Sequence, residues 1–291
     1  MRILVTGTEG QLARSLVERA AGHPDLELIA IGRPELDLEQ EGSAASAIAQ
    51  AAPDIVINAA AYTAVDQAED EPERALRINA DAAGEVAAAA AGVGAAVIQL
   101  STDYVFDGTG SGAYREDAPV NPLGVYGRSK LAGEEQVRAA NPRHAIVRTA
   151  WVYSPFGRNF VKSIMAAADV RDRLTVVDDQ RGSPSNALDL ADGLLAMVKA
   201  GDGWGETYHL AGHGEASWCE FAREIMNLCE ANNLPHVPVD PIRTEDWPTK
   251  AVRPRNSVLD STRFEQAFGF AMPEWRASTL AVVERLASQG G

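Results

Sequence analysis

Short, almost uninterrupted apolar runs recur along this chain: RILVT, LELIAI, DIVINAAA, AAVIQLS, AIVRT, LTVVD and TYHLA. Helix-like stretches separate the early ones, at 11–22, 42–51, 72–92 and 126–140. A strand with one wet face alternates apolar and polar residues, and these runs do not. Both of their faces must therefore be covered, and the intervening helices are what can cover them. The pattern predicts an α/β fold with a doubly wound parallel sheet, and 291 residues leave room for more than that sheet. After residue 150 the strands thin out while prolines and tryptophans gather, among them Trp204, Trp218, Pro235, Trp247, Pro254 and Trp275. We expect the sheet unit to span 1–150 and to be rejoined by 174–205, because LTVVD reads as a further sheet strand. Residues 151–173 and 206–291 are expected to form mainly a second, smaller lobe.

Charge narrows the partners. A net charge of −15 argues against nucleic acid and against an anionic membrane surface. Any phosphate site must be local, built from backbone N–H groups and a few arginines. The two cysteines, Cys219 and Cys229, fall on one predicted helix, where ten residues separate them by ~15 Å, too far for a disulfide. Unpaired cysteines suit a reducing cytoplasm. The opening MRILVTGTEG reads as a strand with no signal peptide, and the apolar stretch VAAAAAGVGAAVIQL is too short to span a bilayer.

Several motifs sit where such a sheet would place a ligand. ILVTGTEGQLA puts Gly7 and Gly10 directly after the first strand, with Ala13 behind them. A turn without side chains lets backbone N–H groups and a helix N-terminus approach a pyrophosphate. The second strand ends in Gly32 and Arg33 rather than in an acid that would hold a ribose 2′-hydroxyl. The arginine is either a partner for a 2′-phosphate or a solvated loop residue; the first reading leans toward NADPH. After the third strand, Ala59, Ala60 and Ala61 permit close approach of a cofactor, or simply tight sheet packing. After the fourth, Ser101, Thr102 and Asp103 lie at the carboxyl edge of the sheet. Tyr126 and Lys130 are four residues apart in VYGRSKLAGE, hence on one helix face. A phenol beside an ammonium can be a proton donor of lowered pKa. His209 and His213 have no acidic third partner nearby, so no zinc site is expected.

The order and spacing of GTEGQLA, VINAAAYTAVDQAE, STDYVFDGTG, NPLGVYGRSKLAGE, RTAWVYSPFGRNFV, DDQRGSPS and RPRNSVLD resemble, nearly end to end, the extended short-chain dehydrogenase/reductase family, in its branch of nucleotide-sugar 4-ketoreductases. The resemblance implies a Rossmann domain and a substrate-binding lobe. It implies reduction of the C4 keto group of dTDP-4-dehydro-6-deoxy-L-mannose to dTDP-L-rhamnose by NADPH, with NADH also usable. Tyr126 is then the proton donor, Lys130 its electrostatic partner and a holder of the nicotinamide ribose, and Thr102 the third catalytic residue. Asp103 and Trp151 are implied as substrate contacts, with Arg253, Asn256 and Ser257 facing the nucleotide-sugar from the second lobe. Gly10, Gln11, Leu12, Asp37, Leu38, Ala61, Tyr62 and Thr63 match cofactor positions, beside Gly7, Arg33, Ala59 and Ala60. Some relatives bridge a dimer with magnesium held by acids, but Ser15 and Leu188 stand at two of those positions and Glu284–Arg285 is ambiguous at the third. Neither serine nor leucine supplies carboxylate oxygens, so a monomer or a metal-independent homodimer is expected. Two other readings share the motifs: a different nucleotide-sugar reductase or epimerase, and a non-catalytic regulatory subunit similar to that of methionine adenosyltransferase.

Overall fold

The computed structural model describes residues 1–289. Its first half alternates strand and helix: β1 (Arg2–Thr6), α1 (Gln11–Ala20), β2 (Glu27–Ile31), α2 (Ser43–Ala51), β3 (Ile55–Asn58), α3 (Val65–Ala68), α4 (Pro72–Leu76), α5 (Ala82–Gly92), β4 (Ala96–Thr102), α6 (Val125–Ala140) and β5 (His144–Thr149). There follow β6 (Val152–Tyr153), α7 (Phe160–Ala168), β7 (Leu174–Val177), β8 (Arg181–Gly182), β9 (Ser185–Asn186), α8 (Ala187–Ala200) and β10 (Glu206–His209). The chain ends through β11 (Ala216–Ser217), α9 (Trp218–Ala231), β12 (Val239–Ile242), α10 (Thr262–Phe268) and α11 (Trp275–Gln289).

Six strands form one parallel sheet in the order β2-β1-β3-β4-β5-β10. Successive residues of β1 serve opposite cores, as near-continuous apolar strands require. Ile3 and Val5 pack with Leu16, Ile98 and Leu194 on the side of α1 and α8. Leu4 packs with Val56, Val86 and Val137 on the side of α2, α5 and α6. The strand order reverses between β1 and β3, so the loops that follow these strands flank a crevice at the carboxyl edge of the sheet. Open α/β sheets bind ligands there.

Two expectations need correction. LTVVD is not a strand of this sheet: β7 pairs with β12 in a separate two-stranded ribbon beside α9. Leu174 is buried but Thr175 is exposed, so the segment has the one wet face that an interior strand of the large sheet cannot have. The sixth strand is β10, paired with β5, and Phe264 of α10 joins the core beneath it. The helix predicted over 72–92 is also interrupted. Residues Arg77–Asp81 form a π-turn between α4 and α5, a wide turn that such helices tend to carry near functional sites. A third core joins Tyr153, Phe221, Ile225, Trp275 and Val283 of the second lobe. Cys219 and Cys229 are both buried on α9 and unpaired. Among the described residues no helix is long and apolar enough to cross a membrane.

Candidate active site

The glycine turn after β1 has the shape a dinucleotide needs. Gly7 takes a φ of +89°, and a Cβ there would lie 3.4 Å from the Cβ of Ala60 on the neighbouring loop. Gly10 caps α1 without any side chain, leaving the first-turn N–H groups of a ten-residue helix for an anion. Beneath the turn a buried chain of hydrogen bonds ties the three central strands. The Thr6 hydroxyl donates to Asn58 Oδ1 (2.6 Å), Asn58 Nδ2 to Gln99 Oε1 (2.7 Å), and the Ala60 N–H to Thr6 Oγ1 (3.0 Å). Gly32 gives this loop room, since a Cβ there would stand 3.1 Å from Thr8 Oγ1 and 3.3 Å from the Thr8 nitrogen. Arg33 beside it is exposed, on the rim of an open groove lined by Thr8, Ile31, Ser46 and Gln50.

Other expected cofactor residues are placed differently from one another. The Gln11 side chain faces the second lobe: it donates to the Val152 carbonyl (3.3 Å) and accepts from Ser154 (2.8 Å) and Asn159 (3.0 Å). Leu12 and Leu38 turn their side chains into the cores on either face, so only their backbones remain for a ligand. The Asp37 carboxylate is engaged in its own loop by the Glu39 N–H and by Gln40. Ala59 and Ala61 are half-buried at the crevice and Thr63 is exposed beside it. Tyr62 is buried, its N–H bonded to Asn79 Oδ1 (2.8 Å) and its phenol to Glu71 (3.0 Å).

The small residues in VYGRSKLAGE are explained by what presses on α6. A Cβ on Gly127 would lie 2.2 Å from the Tyr104 carbonyl, and one on Gly133 would lie 2.0 Å from that of Asn79. Ser129 is fully buried and accepts a hydrogen bond from Asn79, the residue presented by the π-turn. The helix N-terminus has no cap of its own at Gly124; Glu69 supplies one, its Oε1 accepting the Val125 N–H at 2.7 Å. Close packing and a borrowed cap hold the Tyr126 and Lys130 face against β4.

The Lys130 ammonium is buried and donates to the Leu100 carbonyl at 2.6 Å. Burial lowers its pKa to about 8, with the Glu134 carboxylate one turn on opposing that shift. Glu134 is itself buried and held below the usual carboxylate range by a bidentate Arg148 (2.8 and 2.7 Å), by Ser101 (2.6 Å) and by Arg138. The expectation for Tyr126 needs correction. Its phenol is pushed up to about 12, not lowered, because desolvation dominates, while Thr102 pulls the other way and the Asp103 charge adds to the rise.

Thr102 donates to Asp103 Oδ1 (2.9 Å) and accepts from the Tyr104 N–H (3.2 Å). Asp103 is buried and raised to about 6 by desolvation, with Ser257 and Thr102 opposing; its second oxygen has no partner. Ser257 thus comes near the site from the second lobe, its hydroxyl donating to the Arg181 carbonyl at 3.4 Å. Arg253 is bound to Asp66, and Tyr104 next to it meets the Tyr126 ring edge-on at 5.6 Å. Asn256 instead clamps a loop of the first half, donating to the Gly110 and Gly112 carbonyls. Trp151 sits in the left-handed region (φ 43°), stacked on Trp218 with centroids 3.5 Å apart, and Gly182 leaves room for its indole. Among the described residues no cluster of three or more potential metal ligands occurs. Ser15 donates to the Gln11 carbonyl, Leu188 is buried, and Arg285 pairs with Glu18.

Reading the sequence missed Asp66, Glu69, Asn79, Tyr104, Glu134 and Trp218. Four of these stand inside or directly after quoted motifs, AYTAVDQAE, STDY and VYGRSKLAGE, but their partners lie far along the chain.

The family described as RmlD substrate binding domain matches residues 1–288. A dTDP-4-dehydrorhamnose reductase of Sinorhizobium fredii is 44% identical over 296 residues, covering 100% of this chain and 99% of its own length. A crystal structure of a dTDP-4-dehydrorhamnose reductase from Clostridium acetobutylicum superposes with a TM-score of 0.92 at 39% identity, covering 98% of this chain and 99% of that one. One from Bacillus anthracis, in complex with NADP, does so at 0.90 and 35% identity, with the same coverage.

Proposed function

The chain belongs to the family of dTDP-4-dehydrorhamnose reductases, and we propose that Thr102, Tyr126 and Lys130 carry its reaction. That reaction is reduction of the C4 keto group of dTDP-4-dehydro-6-deoxy-L-mannose to dTDP-L-rhamnose. NADPH, when bound, supplies the hydride; the NADP complex of the Bacillus anthracis relative supports this cofactor. Gly7, Gly10, Ala59, Ala60 and Ala61 would hold its pyrophosphate and ribose, for the turn and the helix start present backbone there with no side chain in the way. Arg33 would meet the 2′-phosphate, and the backbones at Leu12, Leu38 and Thr63 complete the groove.

The residues divide the work as follows. Tyr126, at about 12, stays protonated at neutral pH and gives its proton to the alkoxide developing at C4. Thr102 spends its own proton on Asp103, so its oxygen is free to accept from Tyr126 and fix the phenol's direction. Lys130 is cationic below about 8, and its charge stabilises the phenolate left behind. Trp151, Asp103, Arg253 and Ser257 line the side from which the nucleotide-sugar is taken, with Asn256 bracing the loop beside them. The observation that carries the reading is the gathering of Thr102 and Lys130, both buried, and half-buried Tyr126 at the carboxyl edge of β4, on the same sheet edge as the glycine turn.

The chain acts as a monomer or as a homodimer without a bridging metal; the side chains of Ser15 and Leu188 support this. Buried, unpaired cysteines support a cytoplasmic setting. The test is an assay with dTDP-4-dehydro-6-deoxy-L-mannose, supplied by the enzymes that make it, following NADPH absorbance. Consumption of NADPH with formation of dTDP-L-rhamnose is expected; a protein that consumes none with this sugar is not this reductase.

A further inference from the structure

AYTAVDQAE contains an acid that neither the cofactor nor the chemistry uses. Asp66 Oδ1 accepts from Arg253 Nη1 (3.1 Å), Oδ2 accepts from Nη2 (2.7 Å), and Oδ1 also accepts the Ala251 N–H (3.1 Å). One turn on, Asp70 receives the Lys250 ammonium. The first half of the chain thus grips residues 250–253 of the second lobe at successive points. That segment leads straight into Asn256 and Ser257, the second of which is buried and close enough to bear on the Asp103 carboxyl.

The way Arg253 is gripped leaves it something to do. Asp66 takes the guanidinium end-on, through Nη1 and Nη2, and the Ala251 carbonyl shares Nη1 (3.3 Å). An arginine has five N–H donors in a rigid plane. The side edge, formed by Nε–H and the second N–H of Nη2, is not used by Asp66. Two parallel donors on one edge match two oxygens of a phosphate. Tyr104, close enough to bear on the Arg253 charge, lies edge-on to Tyr126, which puts the guanidinium on the side of the reacting end of the site. Arg253 is half-buried, and its long side chain would otherwise have to be ordered at each binding event.

We infer that Asp66 is a positioning residue for the substrate, holding Arg253 end-on so that its side edge is presented to the diphosphate of the nucleotide-sugar. The inference rests on the proposed function, which supplies the diphosphate. A carboxylate that merely competed with the diphosphate for the arginine would have the opposite effect on affinity, so the sign of the change is decisive. Asp66→Asn keeps the shape and one acceptor oxygen but loses the charge-assisted fork. The KM for the nucleotide-sugar and the Kd of dTDP alone are expected to rise about tenfold, the weight of one charge-assisted hydrogen bond. The loss falls on KM rather than kcat, and the Kd of NADPH changes less than about twofold. In an Arg253→Met background Asp66→Asn should add nothing, because both act through one contact. Arg253→Lys, which keeps the charge but has no second edge, gives the same readout with Asp66 untouched, and its KM should rise at least as far.

Unchanged or tighter dTDP binding in Asp66→Asn, a normal KM in Arg253→Lys, or an undiminished Asp66→Asn effect without Arg253 would each overturn the inference. If the unmodified protein turns over the sugar and Asp66→Asn behaves like it, this inference alone fails. If the unmodified protein neither turns over the sugar nor binds dTDP, the proposed function fails with it.

Discussion

Tyr126 and Lys130 lie one turn apart, yet burial moves them in opposite senses, the phenol up to about 12 and the ammonium down to about 8. Both shifts disfavour the charged form. A protonated phenol suits a reductase, which must give a proton rather than take one. Tyr126→Phe should lower turnover by ~10²–10⁴-fold, the usual weight of a general acid. Its NADPH Kd and Tm should stay near those of the unmodified protein, so single-turnover kinetics beside a binding titration check the assignment. The lysine sets a pH limit. Its charge is lost as pH rises through about 8, so kcat/KM should decline above that pH. Glu134 raises the lysine's pKa, so Glu134→Gln should move this limb to lower pH. Stability runs the other way. Between about 8 and the ordinary 10.5 the unfolded chain binds the proton that the folded one releases, so this group's contribution to stability rises with pH there. Arg33 is the residue-scale test of cofactor choice. It is exposed, where ion pairs are weak, so Arg33→Ala should reduce kcat/KM with NADPH by no more than about tenfold and leave NADH almost unaffected. Equal values for the two cofactors before and after substitution would make Arg33 an ordinary loop residue.

Helix α6 carries the reacting side chains, but it is not made secure by its own sequence. Gly124 offers no side chain to cap it, and glycines at 127 and 133 are poor helix formers. What they permit is contact: the Tyr104 and Asn79 carbonyls press where Cβ atoms would be. The cap comes from Glu69, which follows α3. Removing a capping oxygen costs about 1 kcal/mol in typical hosts. Glu69→Ala should therefore lower the urea midpoint modestly. It should also speed amide exchange in the first turn of α6, around Tyr126, more than in its last turn. Uniform exchange along the helix would mean that packing, not the cap, holds its N-terminus.

Across the molecule, the two lobes are tied on both sides of the crevice. Gln11 at the glycine turn bonds to Val152, Ser154 and Asn159; Asp66 bonds to Ala251 and Arg253; and Arg285 of α11 bonds to Glu18 of α1. These ties need no metal. Dialysis against EDTA should leave both turnover and the sedimentation coefficient unchanged. A loss of either on chelation, restored by magnesium, would show a cation site that Ser15 and Leu188 do not provide.

The amino-acid sequence by itself determined the elements that depend on near neighbours. Apolar runs without alternation became the strands of a sheet covered on both faces, because each such run must bury both sides. Gly7 and Gly10 marked the cofactor turn by their place directly after the first strand, Gly7 with a φ of +89° that favours glycine, and Tyr126 and Lys130 shared a face because a helix turns every 3.6 residues. The tertiary structure alone decided which run became the sixth strand. LTVVD and TYHLA both read as strands, and only β10 finds a place beside β5, where Tyr208 and His209, on opposite faces, are both buried. It alone decided the direction of the Tyr126 shift, which desolvation controls and no neighbouring residue reports. It also decided the bonds of Glu69 to Val125, of Asp66 to Arg253 and of Trp151 to Trp218. Each joins residues at least 56 positions apart, and contacts at such a distance follow from how the whole chain packs rather than from any local pattern.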